Sequence, residues 1–560
     1  MNTLKSKMLF IALTALGVTP IHADNWFVRP DITTTSGDGH SWEGALCVSD
    51  FQMLLSNELA SEGDMFHLAE GIYTPESNAN TFKITQGVTI VGGYPQGLSG
   101  TDLSRSADPF AHPTVFSGDK NGDGLPNAGD IQNLLVISGN EKVSIQRIRF
   151  ECAYYQGEDY GAGALYTDNA NVEIKNCEFR NNTSTFHGGA GFTSVGSFTH
   201  FIDCTFTDNT AKSRGGAILI DTAPVEKGGR KSTCMLERCQ LSGNSVAHEI
   251  TDGKYGGAIQ IRHGNLWVIN STIADNKAYC NGAGISISNG DTAYIVSSTL
   301  ANNICSRIHI DLDKSYSYGS SIRMEKEAVL YIANSISLEG TEDTGNKRNP
   351  TCYTENYTKS IENYFISGGY NYLGTFYDLS KKYQDPVWNL VWKSTDQPST
   401  PVAVHQYADM FHTSQLADNG GESYTILPAV QANGATISEL REILEQWKCP
   451  DQVAVELDQR GYSRETNTCM GAVDVNGISA INRPVVASKT LLNIGDGRYK
   501  IPGAKNIRIF NANGHLLSNV FGESVDLSCL PQGLYLIHSD GTTFKVITVS
   551  YTHLTLPTIL

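Results

Sequence analysis

Past its first two dozen residues the chain has no run approaching the roughly 20 consecutive apolar residues that a membrane helix needs, so the mature protein is expected to contain no membrane-spanning segment. It also lacks a basic excess. Lys and Arg number 41 against 58 Asp and Glu, a formal net charge of -17, and phosphate recognition needs concentrated cations, which argues against a nucleic-acid partner. The 12 Cys include no zinc-type pair and none of the close spacing that staples small secreted domains. Only 18% of the residues are charged while 54 are Gly, a balance suited to a turn-rich extracellular β protein.

The one apolar run, Met8 to Val18, follows Lys5 and Lys7 and precedes Ile21-His22-Ala23. Basic start, short apolar stretch and small-residue exit predict a signal peptide over 1–23. Export from the cytoplasm is expected.

Internal repetition decides the fold expectation. The segments beginning at Cys177, Cys204, Cys239, Ser271 and Ser298 share one pattern: a small residue, then an apolar one two places on, then Asn at Asn182, Asn209, Asn244, Asn276 and Asn303. Glycine-rich strand starts follow at Gly188, Gly215, Gly256, Gly282 and Gly319, with an earlier copy at Gly161. After each, residues alternate, as in Ile259-Gln260-Ile261-Arg262, which means a strand with one buried face. One such coil cannot bury its apolar face without neighbours, so stacked coils are expected. The repeated Asn is read as a turn residue that tolerates left-handed angles and hydrogen-bonds along the stack. Cys177, Cys204 and Cys239 should form a buried ladder of small residues, because parallel Cβ vectors on adjacent coils do not suit a disulfide.

The same alternation sorts outward residues into two files: Leu165, Phe192, Leu219, Gln260, Ser286 and Arg323, then Thr167, Ser194, Asp221, Arg262, Ser288 and Glu325. Only Asp221 and Arg262 pair opposite charges on adjacent coils, and a salt bridge accounts for them. No carboxylate cluster of the kind glycoside hydrolysis or lyase chemistry uses stands out, and no catalytic residue is assigned. His187 and His263, at repeat edges, read as surface residues. One stretch has metal-ligand spacing: Asp119, Asn121, Asp123, Leu125 through its carbonyl, Asn127 and Asp130 fall at positions 1, 3, 5, 7, 9 and 12 of a calcium loop with Gly124 at 6. It predicts a structural Ca2+ site; the alternative is a polar turn. Asp at the last position reaches less far than the usual Glu.

Several of these residues carry family resemblances. Phe179 to Asn182, Phe206 to Asn209 and Gly215 to Ile218 resemble the polymorphic outer-membrane protein repeat. Ser41-Trp42, Gly63-Asp64, Glu70 to Tyr73 and Gly92 to Tyr94 are similar to the start of extracellular proteins with the pectin-lyase-like fold. Leu416 to Gly421, Leu457 to Arg464 and Gly471 to Asp474 resemble the choice-of-anchor Q family. Ile507 to Gly514, Val525 to Tyr535 and Phe544 to Ile547 resemble the type IX secretion C-terminal sorting domain, from which the chain departs by continuing through Tyr551 to Leu560.

The resemblances imply an all-β protein: a right-handed parallel β-helix with an N-terminal cap over 24–339, a less regular continuation over 340–475, a linker at 476–490, a small β-sandwich sorting domain at 491–548, and a tail at 549–560. They imply export by the type IX machinery and a surface role in binding glycan or protein ligands. The alternative is a polysaccharide lyase or glycoside hydrolase on the same scaffold.

Overall fold

The computed structural model describes residues 23–338 apart from 34–36, 78–80, 104–108, 110, 158–160, 222–228, 247–254, 280, 289, 306–308, 312–313 and 317–319. It further describes 352–354, 364–374, 376–378, 393–396, 415–427, 433–464, 467–474, 492–495, 498–501, 506–511, 516–521, 524–527, 530, 533–539 and 542–548. The expected signal peptide, linker and tail lie outside these residues. The chain divides into two compact units, Met1–Gly477 and Ile478–Leu560.

In the first unit, the alternation seen in the sequence becomes parallel sheets. One coil shows the plan: Leu165–Asp168 lies in sheet one, Asn171–Lys175 in sheet two, Glu178–Arg180 in sheet three, and Thr183–Ser184 in a short fourth ladder. The sheets hold ten, eleven and ten strands and the ladder six, and each strand of this coil pairs in parallel with the coils on both sides, the ladder strand with Tyr154–Tyr155 and Thr210–Ala211. Connections from strand to parallel strand within one sheet are right-handed because of strand twist. The architecture is a right-handed parallel β-helix.

Side chains of period two fill its interior. Phe150, Phe179 and Phe206 stack at 4.8 Å between neighbouring centroids, the strand spacing itself. At the corner after sheet three the chain bends on one left-handed residue, Asn181, Asp208, Gly243, Asp275 or Asn302, with φ between 53° and 67°. The sequence reading put that angle on the repeated Asn; it belongs to the residue before. The reason is reach, since only a side chain turned inward can bond the coils above and below. Asn182, Asn209, Asn244, Asn276 and Asn303 are accordingly fully buried. Asn182 Nδ2 donates to Asn209 Oδ1 at 3.0 Å, Asn209 to Asn244 at 2.9 Å, Asn244 to Asn276 at 2.9 Å and Asn276 to Asn303 at 3.0 Å. Each Nδ2 also donates to a carbonyl one coil back, as Asn244 does to Phe206 O.

A second ladder runs beside it. Cys177, Cys204 and Cys239 are buried free thiols, and Ser271, Ser298 and Ser335 succeed them, with Cys239 N donating to Ser271 Oγ at 2.9 Å and Ser271 N to Ser298 Oγ at 3.2 Å.

Helix α1 (Val48–Ser56) covers the first coils, its buried Phe51 meeting Phe66 at 5.3 Å and Phe82 at 5.6 Å. It caps what would otherwise be an open stack of apolar rungs. At the other end the parallel ladders run on through Phe365–Gly369, Tyr372–Leu373 and Phe376–Asp378. Residues 416–427, 433–464 and 467–474, expected to continue the coils, instead fold back along the outside. Helix α2 (Ile437–Gln446), started by a Thr436–Glu439 capping box, lays Leu440, Ile443 and Leu444 on outward residues of sheet two that include Trp267, Val296 and Ala333. An arginine clasp holds this flap: buried Arg464 Nη2 donates to Asn270 Oδ1 at 3.0 Å and to Gly471 O at 3.1 Å, and Arg460 is bonded to Asp458 Oδ2 at 2.5 Å. The residues that carried the choice-of-anchor Q resemblance thus pin the flap to the coil.

The second unit has two antiparallel sheets, one joining Leu492–Gly495, Arg498–Lys500 and Ser524–Asp526, the other joining Leu516–Phe521, Asn506–Asn511, Gly533–Ser539 and Thr542–Thr548. Ile507, Ile509, Val525, Leu527, Tyr535 and Ile537 share its core, as a small sandwich requires.

The amide ladder generates a stability prediction. Asn244→Ala removes both the donor and the acceptor of a buried amide and strands its neighbours, at a cost of about 3 kcal/mol or more. Asn181→Ala, at the exposed bend, should cost only about 1 kcal/mol, from its left-handed backbone. Urea unfolding of both variants separates the two roles, and equal midpoints would refute the assignment.

Candidate functional site: a polar seam on sheet one

The outward file on sheet one runs Tyr166, Phe192, Leu219, Gln260, Ser286 and Arg323 by strand register. The next runs Asp168, Ser194 and Asp221, followed by Arg262, Ser288 and Glu325, each of whose N–H bonds the strand one coil back. Leu165 and Thr167, expected in these files, point inward and are buried. The cause is a one-residue slip. Leu165 pairs with Gly191, so the first step is 26 residues rather than 27, and a slip of one exchanges the faces of a strand.

Beside the first file stands a ladder at the corner preceding sheet one, where His187, Arg214, Tyr255 and Asn281 bridge in succession. The glycine after each takes a left-handed angle, φ 60° to 71°. A Cβ on Gly282 would lie 2.9 Å from Ser286 Cβ and 3.1 Å from Arg323 Cβ. Glycine is needed there because the chain passes close over the outward file, and the two rows become the walls of a seam.

One end of the seam is apolar: Tyr166 and Phe192 lie 5.4 Å apart, with Leu219 and Ala162 against Phe192. The other end is polar. Arg323 Cζ sits 4.4 Å from the Tyr255 ring centroid, and Arg323 Nη1 is 2.7 Å from Glu325 Oε1. Arg214 Nη1 donates to His187 Nε2 at 3.3 Å, which puts the imidazole proton on Nδ1. Burial, with the charges of Arg214 and Arg262, pushes His187 down to about 3, so the ring stays neutral. Burial likewise lowers Arg214, helped by Arg262. Along the seam four buried atoms lack a hydrogen-bond partner among the described residues: His187 Nδ1, Gln260 Oε1, Asn281 Oδ1 and Ser286 Oγ.

Below the seam Asp221, 1% exposed, takes Arg262 Nη1 at 3.0 Å and His263 Nδ1 at 3.3 Å. The expected pair is present, with a third member that spacing did not suggest. Asp291 accepts the backbone N–H of His263 at 2.7 Å and of Gly264 at 2.9 Å, and burial raises it to about 6. It braces the turn. His187 proves to be buried, contrary to its reading as a surface residue, while His263 is half-buried. Arg214, Tyr255 and Asn281 were missed because they precede the glycine starts, where no alternation exists to align.

The calcium-spaced loop closes largely on itself. Asp119 Oδ1 accepts Gly122 N at 2.6 Å and Asp119 Oδ2 accepts Gly124 N at 2.7 Å; Asn121 Oδ1 accepts Asp123 N at 2.9 Å, and Asp123 Oδ1 accepts Leu125 N at 2.8 Å. Gly124 supplies a left-handed φ of 74°. Asn121 and Asn127 both turn their amides to Asp123 Oδ2, at 3.0 and 2.8 Å. Leu125 is exposed and its carbonyl accepts Asn127 Nδ2 at 3.1 Å. Asp130 is apart from them, buried, and accepts Lys120 N at 3.1 Å and Asn127 N at 2.8 Å. Among the described residues no three His, Cys, Asp or Glu side chains gather as a metal site. Asp119, Asn121, Asp123 and Asn127 offer hard oxygens that suit calcium, without the twelfth position.

Residues 203–221 match the Chlamydia polymorphic membrane protein repeat. The matched stretch runs through the buried Asn209 and the seam residue Arg214 and ends on Asp221. Among solved structures the chain is similar to the crystal structure of pectate lyase Pel9A, at 12% identity over 81% of this chain and 97% of that one, with a TM-score of 0.34. No curated protein matches the chain. The first unit is thus a right-handed parallel β-helix in which residues 203–221 match a repeat of the polymorphic membrane protein type.

Proposed function

We propose that the mature chain is an exported, surface-displayed β-helix that binds extracellular glycan or protein ligands along the seam. The observation that carries this reading is the group of four buried atoms without partners. An unpaired buried polar group costs about 1–3 kcal/mol, and a ligand that pairs it recovers that cost. With Arg214 and the Arg262–Asp221 pair at the rim, the complementary ligand carries carboxylate or sulfate beside hydroxyl or amide groups. Against a lyase or hydrolase at the same place, Asp221 is engaged by both Arg262 and His263.

Incubated with acidic polysaccharides, the mature chain should retain at least one of them without forming unsaturated products or new reducing ends. Arg214→Ala should weaken that retention by about tenfold. Released products would make the protein an enzyme instead.

The loop at Asp119, Asn121, Asp123, Leu125 and Asn127 is proposed to hold a structural calcium ion, with Asp130 closing the loop from behind. An ion that binds only the native state raises the melting temperature. Calcium should do so for the wild type and not for Asp123→Ala, whereas Asp130→Ala should melt lower with or without the ion. An identical response of Asp123→Ala and wild type would reduce the loop to a polar turn.

Delivery is proposed to use type IX secretion, with the Ile478–Leu560 unit as sorting module. Its support is a core of its own, which lets a translocon read it while the passenger stays folded. Deleting 491–560 should leave a folded passenger in the periplasm; normal surface delivery of the truncated chain would defeat the assignment.

A further inference from the structure

Sheet three also has an outward face, and its later coils are covered by the flap. Ile426 and Met470 pack there with Ala274, Ala301 and Ile336. The earlier coils are left open as a groove of about 330 Å³ running along the helix axis. Its floor follows one register line, Arg149, Glu178, Thr205 and Gln240. Pro109, Pro113 and Thr114 close one end, and Glu422, Ser423 and Tyr424 the other. From Thr114 to Gln240 the groove crosses four strand spacings, about 19 Å.

The Tyr424 wall is fixed in place. Tyr424 N donates to Gln240 Oε1 at 2.8 Å, and Ser423 Oγ accepts Gln459 Nε2 at 3.0 Å. Gln459 is itself anchored in the coil, bonding Cys239 O at 3.1 Å and Thr272 Oγ1 at 2.5 Å. Yet Tyr424 is 55% exposed. An aromatic residue held by its backbone and presented at the end of a groove is a stacking platform.

The charges along the groove are matched. Arg149 Nε lies 2.5 Å from Glu178 Oε2, and Arg238 Nε lies 2.7 Å from Asp203 Oδ1. Arg147 at one end is offset by Glu422 at the other. No field of one sign draws in a polyanion, whereas the seam keeps Arg214 beyond its paired Arg262–Asp221 and Arg323–Glu325. Paired Arg and Glu, with Thr205, Thr207 and Gln240 beside them, present fixed donors next to fixed acceptors. A sugar hydroxyl both donates and accepts, and a pyranose face offers C–H groups to an aromatic ring. An extended peptide would seek an unpaired strand edge, whereas the strands of this floor are hydrogen-bonded on both sides.

We propose that this groove is a second ligand site, for a neutral linear oligosaccharide lying along the helix axis with one sugar ring on Tyr424. It rests on different residues from the seam and stands or falls separately. The mature full-length chain is titrated calorimetrically with neutral β-linked hexasaccharides of glucose, xylose and mannose, and with a galacturonate hexamer. At least one neutral hexamer should bind. Tyr424→Ala should weaken it by about tenfold or more, Tyr424→Phe should keep it, and Arg214→Ala in the seam should leave it unchanged. Circular dichroism of Tyr424→Ala should match the wild type, since its ring is exposed. Binding of the galacturonate hexamer alone, no binding of any neutral hexamer, or an unaltered affinity in Tyr424→Ala would overturn the proposal.

Discussion

The buried asparagine ladder is the interaction on which the rest of the first unit depends. The amides of Asn182, Asn209 and Asn244 each give two hydrogen bonds to neighbouring coils and receive others from an adjacent coil, so the stack has a preferred vertical register, not merely a preferred composition. Apolar burial alone is non-directional and would tolerate sliding. Inside a low-dielectric core an unmade amide bond is expensive, and that expense lets one residue per coil hold three sheets in step.

A consequence appears at the corner before sheet one. The left-handed glycine there lets the chain turn tightly enough to bring a ladder of His187, Arg214, Tyr255 and Asn281 over the outward file. The same geometry that closes each coil therefore builds a wall of side chains, and insertions can lengthen the corner without disturbing the register beneath. The extra residues of the step from Gly282 to Gly319 fall at this corner, whereas those of the step from Gly215 to Gly256 are divided between it and the turn after Asp221.

The flap decides what surface is available. By laying α2 on sheet two and Ile426 and Met470 on the late coils of sheet three, it removes much of the outward area from solvent and leaves sheet one and the early coils of sheet three. Its arginines are committed to this: Arg464 bonds Asn270 and four carbonyls of its own segment. A motif that reads as a family signature is thus mostly an account of how the flap is fastened.

The sequence by itself determined the coil. Period-two alternation, the recurring Asn and the glycine starts each report a local constraint repeated every 27 residues or so, and repetition is visible without coordinates. The inward ladder of Cys177, Cys204 and Cys239 was legible for the same reason. Tertiary structure alone decided the offset of the first coil, where a missing residue moved Tyr166 and Asp168 outward in place of Leu165 and Thr167, because register is a property of two strands and not of one. It also decided the burial of His187, the pairing of His263 with Asp221, and the return of the flap across some 190 residues from Asn270 to Leu457 and Arg464. Those contacts join segments with no common period, so nothing in either segment announces the other.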